Sequence, residues 1–308
     1  MKNIYLFLFF FAFSYYSNGQ IFNQDAEGKS SIIGFGGTLN FDIKESLVKA
    51  NYYKSSLKEK ALALGVDVQG KNSEGVAGIF ENGTFSPEGE ASVMIGSIRA
   101  FQNKENLTTS RLIYYTKLGV KTSEFKYDRG NSFTTSDTRF VDTVHTRPKI
   151  EVGASLRWGG RLYLGLLLGN SKETNHSSLR KSVYKYVFND PTLPGLQQTR
   201  DITAYSGNYG KYSNTYLNFD AVYLIPSDSI YISPAIYFRY NKSSNENLRS
   251  DNSVLGTSLN FINIESGKFF GGVYLQTNDI FRNNSTAFNK TIQFGLIARF
   301  SFTTISPF

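Results

Sequence analysis

The chain has 308 residues, no cysteine, and 33 lysines and arginines against 25 aspartates and glutamates. Without cysteine there are no disulfides, thiol nucleophiles or cysteine-based metal centres, and an amino-terminal lipid cannot be attached through sulfur. The formal charge of +8 is spread along the chain with no clustered basic run, which argues against a nucleic-acid partner. A mean hydropathy of -0.28 is too low for a bundle of apolar membrane helices.

In chain order, Lys2 and Asn3 precede an apolar run from Ile4 to Phe13, and Ser17, Asn18, Gly19 and Gln20 follow. That run is short for a bilayer span. It is expected to be a signal peptide over 1–19, cleaved near Gly19/Gln20, with an uncleaved anchor as the alternative. The remainder, 20–308, has no fixed-period repeat and no low-complexity linker, so a single domain is expected. Segments 31–43 and 46–55 are weaker strand candidates. The period-two alternation of Leu62, Leu64, Val66 and Val68, of Val93 and Ile95, and of Leu112, Tyr114, Thr116, Leu118 and Val120 predicts three more. Gly34-Phe35-Gly36-Gly37 lacks the lysine and helix of a phosphate loop and reads as a bend or bulge.

The carboxyl half is clearer. Strands are expected at 147–158, 161–170, 214–225, 230–241, 250–262, 268–278 and 290–302. Gly159-Gly160, Pro226 to Ser229 and Asn263 to Gly267 form short turns between them. The connections 128–146, 171–213, 242–249 and 279–289 are longer and polar. Within 171–213, residues Ser182 to Phe188 and Asp201 to Tyr205 flank Pro191 and Pro194, which predicts two strands extended outward as a hairpin. Pro234 removes a ladder donor and predicts a bulge or a local edge. The last strand alternates Ile292, Phe294, Leu296, Ala298, Phe300 and Phe302 with polar or small residues, and the chain ends on Phe308.

Alternating short turns and long loops, aromatic enrichment and a terminal aromatic together predict an all-β fold: a transmembrane antiparallel β-barrel of the bacterial outer membrane. About 12 strands are expected, with ten or fourteen as alternatives, and a soluble β-sandwich is the competing fold. Strand parity puts Ile230, Ile232, Ile236 and Phe238 on one face and Ser233, Ala235, Tyr237 and Arg239 on the other. A charge facing lipid at the midplane costs a few kcal/mol, so Arg111, Lys117, Glu151, Arg157, Asp220, Arg239 and Arg299 are expected in the lumen. They either pair and fill it or line a solute path with slight anion preference.

His145 and His176 fall in expected external loops, with no second imidazole at ligand spacing. No catalytic residue, cofactor or metal is expected, and the chain is not expected to be an enzyme. Tyr184, Tyr186, Tyr205, Tyr209 and Tyr212 form an aromatic set in or beside the longest loop. They are candidates for partner binding, with an interfacial aromatic girdle as the alternative.

Ile230-Tyr231-Ile232-Ser233-Pro234-Ala235-Ile236 and Phe270-Gly271-Gly272-Val273-Tyr274-Leu275 resemble strands of Bacteroidota outer-membrane barrels. Over residues 150–302 the chain is loosely similar to the PorP/SprF membrane proteins associated with type IX secretion and gliding. That resemblance implies a cell outer-membrane location, contact with outer-membrane lipid, and a secretion or surface-anchoring protein partner. A structural or anchoring barrel is therefore the first functional expectation and a porin-like channel the second.

Overall fold

The computed structural model describes residues 30–33, 36–42, 47–55, 60–71, 88–102, 108–130, 139–189, 197–264, 269–281, 292–297 and 299–301. Residues 1–19, expected to be a signal peptide, and Phe308 lie outside the described residues. The first half holds β1 (Gly36–Asp42), β2 (Leu47–Ser55), β3 (Lys60–Lys71), β4 (Glu88–Gln102), β5 (Thr108–Asp128), β6 (Phe140–Trp158) and β7 (Leu162–Thr174). The second holds β8 (Arg180–Asn189), β9 (Gln197–Ser206), β10 (Lys211–Tyr223), β11 (Ile225–Pro226), β12 (Ile230–Ser243), β13 (Asn252–Asn263), β14 (Phe269–Thr277), β15 (Ile292–Ile297) and β16 (Arg299–Ser301). The fold is all-β. Among the described residues, a 3-10 turn at His176–Ser178 interrupts the strands, and no helix is long and apolar enough to cross a membrane.

All strands belong to one sheet whose main path runs β15-β14-β13-β12-β10-β7-β6-β5-β4-β3-β2-β1-β16. Neighbours on that path are antiparallel, and among the described residues the one parallel contact is the bridge between Tyr127 of β5 and Tyr205 of β9. The sheet has more strands than the expected 12, and the two ends of its path, β15 and β16, are not paired with each other, so the described residues form an antiparallel sheet that is not closed into a barrel. The β8–β9 hairpin lies off the path, β11 is a two-residue fragment beside β12, and β15 pairs β14 whereas β16 pairs β1.

Parity divides the sheet into two unlike faces. Leu62, Leu64, Val66, Val93, Ile95, Leu118, Ile150, Val152, Leu168, Ile236 and Leu275 are exposed, whereas the residues between them, such as Asp67, Ser92, Lys117, Glu151, Asp220 and Arg239, are buried. A soluble sandwich buries its apolar faces against each other, so this arrangement is its inverse. Side chains of β2 and β10, six steps apart along the path, share one buried cluster with those of β3, β4, β5 and β7. Lys117, Glu151, Asp220, Arg239 and Tyr115 on that face are almost wholly buried although one sheet holds all the strands, so the sheet curls with its polar face inward.

The connections largely follow their turn chemistry. Gly159 and Gly160 have φ of 55° and 72°, the left-handed pair a two-residue hairpin needs, and Arg161 N–H returns to Trp158 C=O at 3.2 Å. Ser227 N–H closes the second turn on Ile230 C=O at 2.8 Å. Residues 140–146, expected in a loop, instead extend β6. Val141, Thr143, Val144 and Thr146 suit a strand, and Lys126 pairs with Asp142 across to β5. Likewise β7 and β10 remain paired to Thr174 and Lys211, so the β8–β9 hairpin is not their continuation. The 3-10 turn and Gly207, at φ 131°, set it off from them. At Pro234 there is no bulge. The register is unchanged from Val222↔Ala235 to Ile225↔Ile232, but the ladder breaks between them and Leu224 N–H turns to Arg161 C=O at 2.9 Å.

Candidate functional site in the sheet interior

The enclosed face carries two zones. Toward the short turns it is apolar. Ile98, Ile113, Ala61, Ala63, Met94 and Leu167 cluster with the tyrosines Tyr53, Tyr115 and Tyr216. Toward the long connections it is charged, the charges are paired, and one further ion pair, Asp220 with Arg239, lies in the short-turn half.

Lys117 is 3.0 Å from Asp67 and donates to the Tyr53 hydroxyl at 2.7 Å, with its ammonium over the rings of Tyr53 and Tyr115. Lys149 lies 2.6 Å from Glu90 and 2.9 Å from Glu151, and Glu151 also accepts the Tyr216 hydroxyl at 2.7 Å. Nearer the loops, Glu173 takes Arg147 at 3.0 Å and Lys121 at 3.1 Å, and Arg147 reaches Ser123 at 2.8 Å. Arg239 is 2.7 Å from Asp220 and donates to the carbonyls of Phe219 and Phe238 at 2.8 and 3.0 Å. Buried charges stay ionised at tolerable cost only when paired and hydrogen-bonded in this way.

Into this interior runs the segment Ser30 to Ile33. Ser31 is completely buried, and its N–H and Oγ both donate to Asp220, at 2.6 and 2.5 Å. Its carbonyl accepts the Tyr115 hydroxyl at 2.9 Å, and the next donor but one, Ile33 N–H, reaches Ser155 Oγ at 3.2 Å. Ile32 packs with Val222 and Ala235 against Tyr163. Gly165 makes the passage possible, because a Cβ there would stand 2.6 Å from Ser31 backbone and Oγ atoms. The segment thus touches β5, β6, β7 and β10, and Asp220 binds both it and Arg239.

A second device is a repeated cross-strand register of tyrosine opposite glycine. Tyr53 pairs with Gly65, Tyr115 with Gly153, Tyr216 with Gly169, Tyr237 with Gly256 and Tyr274 with Gly295. In every pair the ring lies where the glycine's Cβ would be, with ring atoms 2.0 to 2.6 Å from that point. Large rings thereby lie flat along the enclosed face and shield the neighbouring backbone.

Of the residues singled out from sequence, Lys117, Glu151, Asp220 and Arg239 come into the paired interior. Arg111 and Arg157 oppose each other across β5 and β6 near the short-turn end, half-buried, with Arg157 stacked on Tyr163. Arg299 stands opposite Asn40 in β16, and its side chain lies outside the described residues. Asp67, Lys149, Glu90, Arg147, Glu173 and Ser31 were missed. Parity alone puts Lys149 beside Glu151 and Asp67 inward between Val66 and Val68, whereas nothing local points to Ser31.

The tyrosines of the long connection do not make one surface. Tyr205 and Tyr209 gather edge-on about Phe125, on which His176 stacks at 5.2 Å. Tyr184 instead donates to Asp128 at 2.5 Å beneath Arg139, which is 2.9 Å from the same carboxylate. Arg139, the Tyr184 hydroxyl and the Gly130 N–H hold the Asp128 carboxyl well below the usual carboxylate range. Tyr212 is buried in β10 beside Arg249, and Tyr186 opposes Arg200, its side chain outside the described residues. Among the described residues no group of three or more histidines and carboxylates is placed to hold a metal. Comparison with protein-family models, with curated proteins and with solved structures finds no match for this chain.

Proposed function

We propose that this chain is an integral outer-membrane β-barrel whose interior is filled rather than open, and that it serves a structural, secretion-associated or surface-anchoring role. The observation that carries the reading is the buried Ser31–Ile33 segment, bound on several strands at once and surrounded by neutralised charges. An exposed apolar belt around a polar, ion-paired interior supports placement in a bilayer. The described pairing does not itself close the sheet, but a barrel is favoured because its two ends are neighbours in sequence, β15 pairing β14 and β16 pairing β1. Against the porin-like alternative, Arg239 is committed to Asp220 and Lys117 to Asp67, so neither is a spare fixed charge that would draw anions.

The β8–β9 hairpin is the proposed holding element for a protein partner, since it lies off the sheet path on the long-loop side, joined to it through β5. The test is outer-membrane fractionation with heat-modifiable gel migration, followed by deletion of 180–205. A folded barrel that loses a defined copurifying surface protein is the expected result. Recovery of the native chain as a soluble periplasmic or secreted species would overturn it.

A further inference from the structure

On the exposed face, at the long-loop end of β10 and β12, Leu217, Phe238 and Tyr240 floor an open groove of about 580 Å³ bordered by Glu246, Ser250, Asp251 and Phe281. Parity fixes which way it opens, because Asn218, Tyr237 and Arg239, between the floor residues, are buried on the opposite face. The groove therefore lies on the outer wall and has no path to the paired interior.

It is built rather than incidental. Asp251 is held by Ser243 N–H at 2.8 Å and by the Tyr240 hydroxyl at 3.3 Å. Phe281 is anchored through its N–H to Ser253 Oγ at 3.2 Å, and its ring stands edge-on to Phe238 and Tyr240 at 6.2 and 6.3 Å.

Its chemistry changes along its length. The Leu217 and Phe238 end continues into the exposed apolar belt at Phe219 and Ile236, whereas the loop end presents two carboxylates and a hydroxyl. An occupant must match both ends, with hydrocarbon at one and a polar head at the other. Two carboxylates repel an anionic head and attract a cationic one, and the faces of Tyr240 and Phe281 favour the same sign. Lys242, exposed two residues further along the same face of β12, supplies a positive charge for an accompanying phosphate. We propose that this groove binds an outer-leaflet lipid with a zwitterionic, primary-ammonium headgroup, its ammonium at Glu246 and Asp251 and its chain over Leu217 and Phe238. This rests on the membrane placement proposed above.

The test uses the full purified chain and native mass spectrometry with equal amounts of phosphatidylethanolamine and phosphatidylglycerol of the same acyl chains. Phosphatidylethanolamine should be retained about fivefold better, the scale of one cation–ring contact. Glu246→Lys should invert the preference and Phe281→Ala should weaken it, both variants keeping heat-modifiable migration. Equal retention of the two lipids, or an unchanged preference in both variants, would overturn the site. Flotation with liposomes separates the two readings. A chain that floats with neither lipid refutes the membrane placement itself, whereas one that floats without headgroup preference refutes only the groove.

Discussion

Asp220 receives Ser31 N–H, Ser31 Oγ and the Arg239 guanidinium, all with almost no solvent exposure. Removing its charge strands a buried cation, which typically costs about 3–5 kcal/mol. Asp220→Asn should therefore lower the urea midpoint of the heat-modifiable form sharply, and so should Arg239→Met. The double variant Asp220→Leu/Arg239→Met should recover much of the loss, because no buried charge is left alone, and strict additivity of the two losses would contradict this. At Gly256, a Cβ would stand 2.1 Å from a Tyr237 ring carbon, so Gly256→Ala should destabilise by about 1–3 kcal/mol through overpacking. An alanine variant with an unchanged midpoint would show that the ring is free to move. Parity made the inward direction of Asp220 and Arg239 legible in the sequence. The partner Ser31 was not, because it is 189 residues away and its role depends on the curl of the whole sheet. The tyrosine–glycine pairs were hidden for a related reason, since they are facts of register between strands and each strand alone shows only a tyrosine or a glycine.

Strands were the most legible elements, because an exposed apolar face and a buried polar face print a period of two on the sequence from β3 to β15. What the alternation could not fix was where strands stop. β6 begins at Phe140 because its extension is stabilised by pairing with β5, a cross-strand effect that the loop-like polarity of 128–146 concealed. The β8–β9 hairpin was foreseen as strands, but its separation from β7 and β10 depends on the turn at His176–Ser178 and on Gly207. Its base is tied to the β5–β6 tip by the contacts of Tyr184 and Arg139 with Asp128. The Asp128 carboxyl titrates below its unfolded value of about 3.9, so the docking it provides is fully present above that pH. It is lost only as pH falls through the lower folded value. Hydrogen-exchange protection in β8 and β9, after correction for the intrinsic pH dependence of amide exchange, should therefore be the same at pH 7 and pH 5. Asp128→Asn should speed tryptic cleavage at Lys181 and Lys185 by about tenfold at neutral pH, as expected if a charge-assisted contact worth roughly 1.4 kcal/mol is gone. Unaltered cleavage would remove Asp128 from the docking account. The orientation of the elements is tested separately. A cysteine at Asn189 should react with an impermeant thiol reagent on intact cells and one at Ser227 should not, and the reverse pattern would invert the assignment of the two ends.

For the whole molecule, the decisive property is a sheet that turns its apolar side outward and packs its polar side with ion pairs, tyrosine rings and a piece of its own chain. A conducting barrel needs fixed charges facing water, whereas here Lys117, Lys149, Arg147 and Arg239 each have a carboxylate within 3.0 Å. The all-β antiparallel fold and the exposed apolar face were readable from composition and alternation, whereas barrel closure and the state of the interior were not, since the same inward charges describe a lined pore or a filled core until their distances are known. The direct measurement is ion flux through the purified, full-length protein in planar bilayers, with insertion verified in the same preparation by heat-modifiable migration and protease protection. Verified insertion without steady conductance is the predicted result, and a stable open channel carrying current at neutral pH would contradict the filled-interior account.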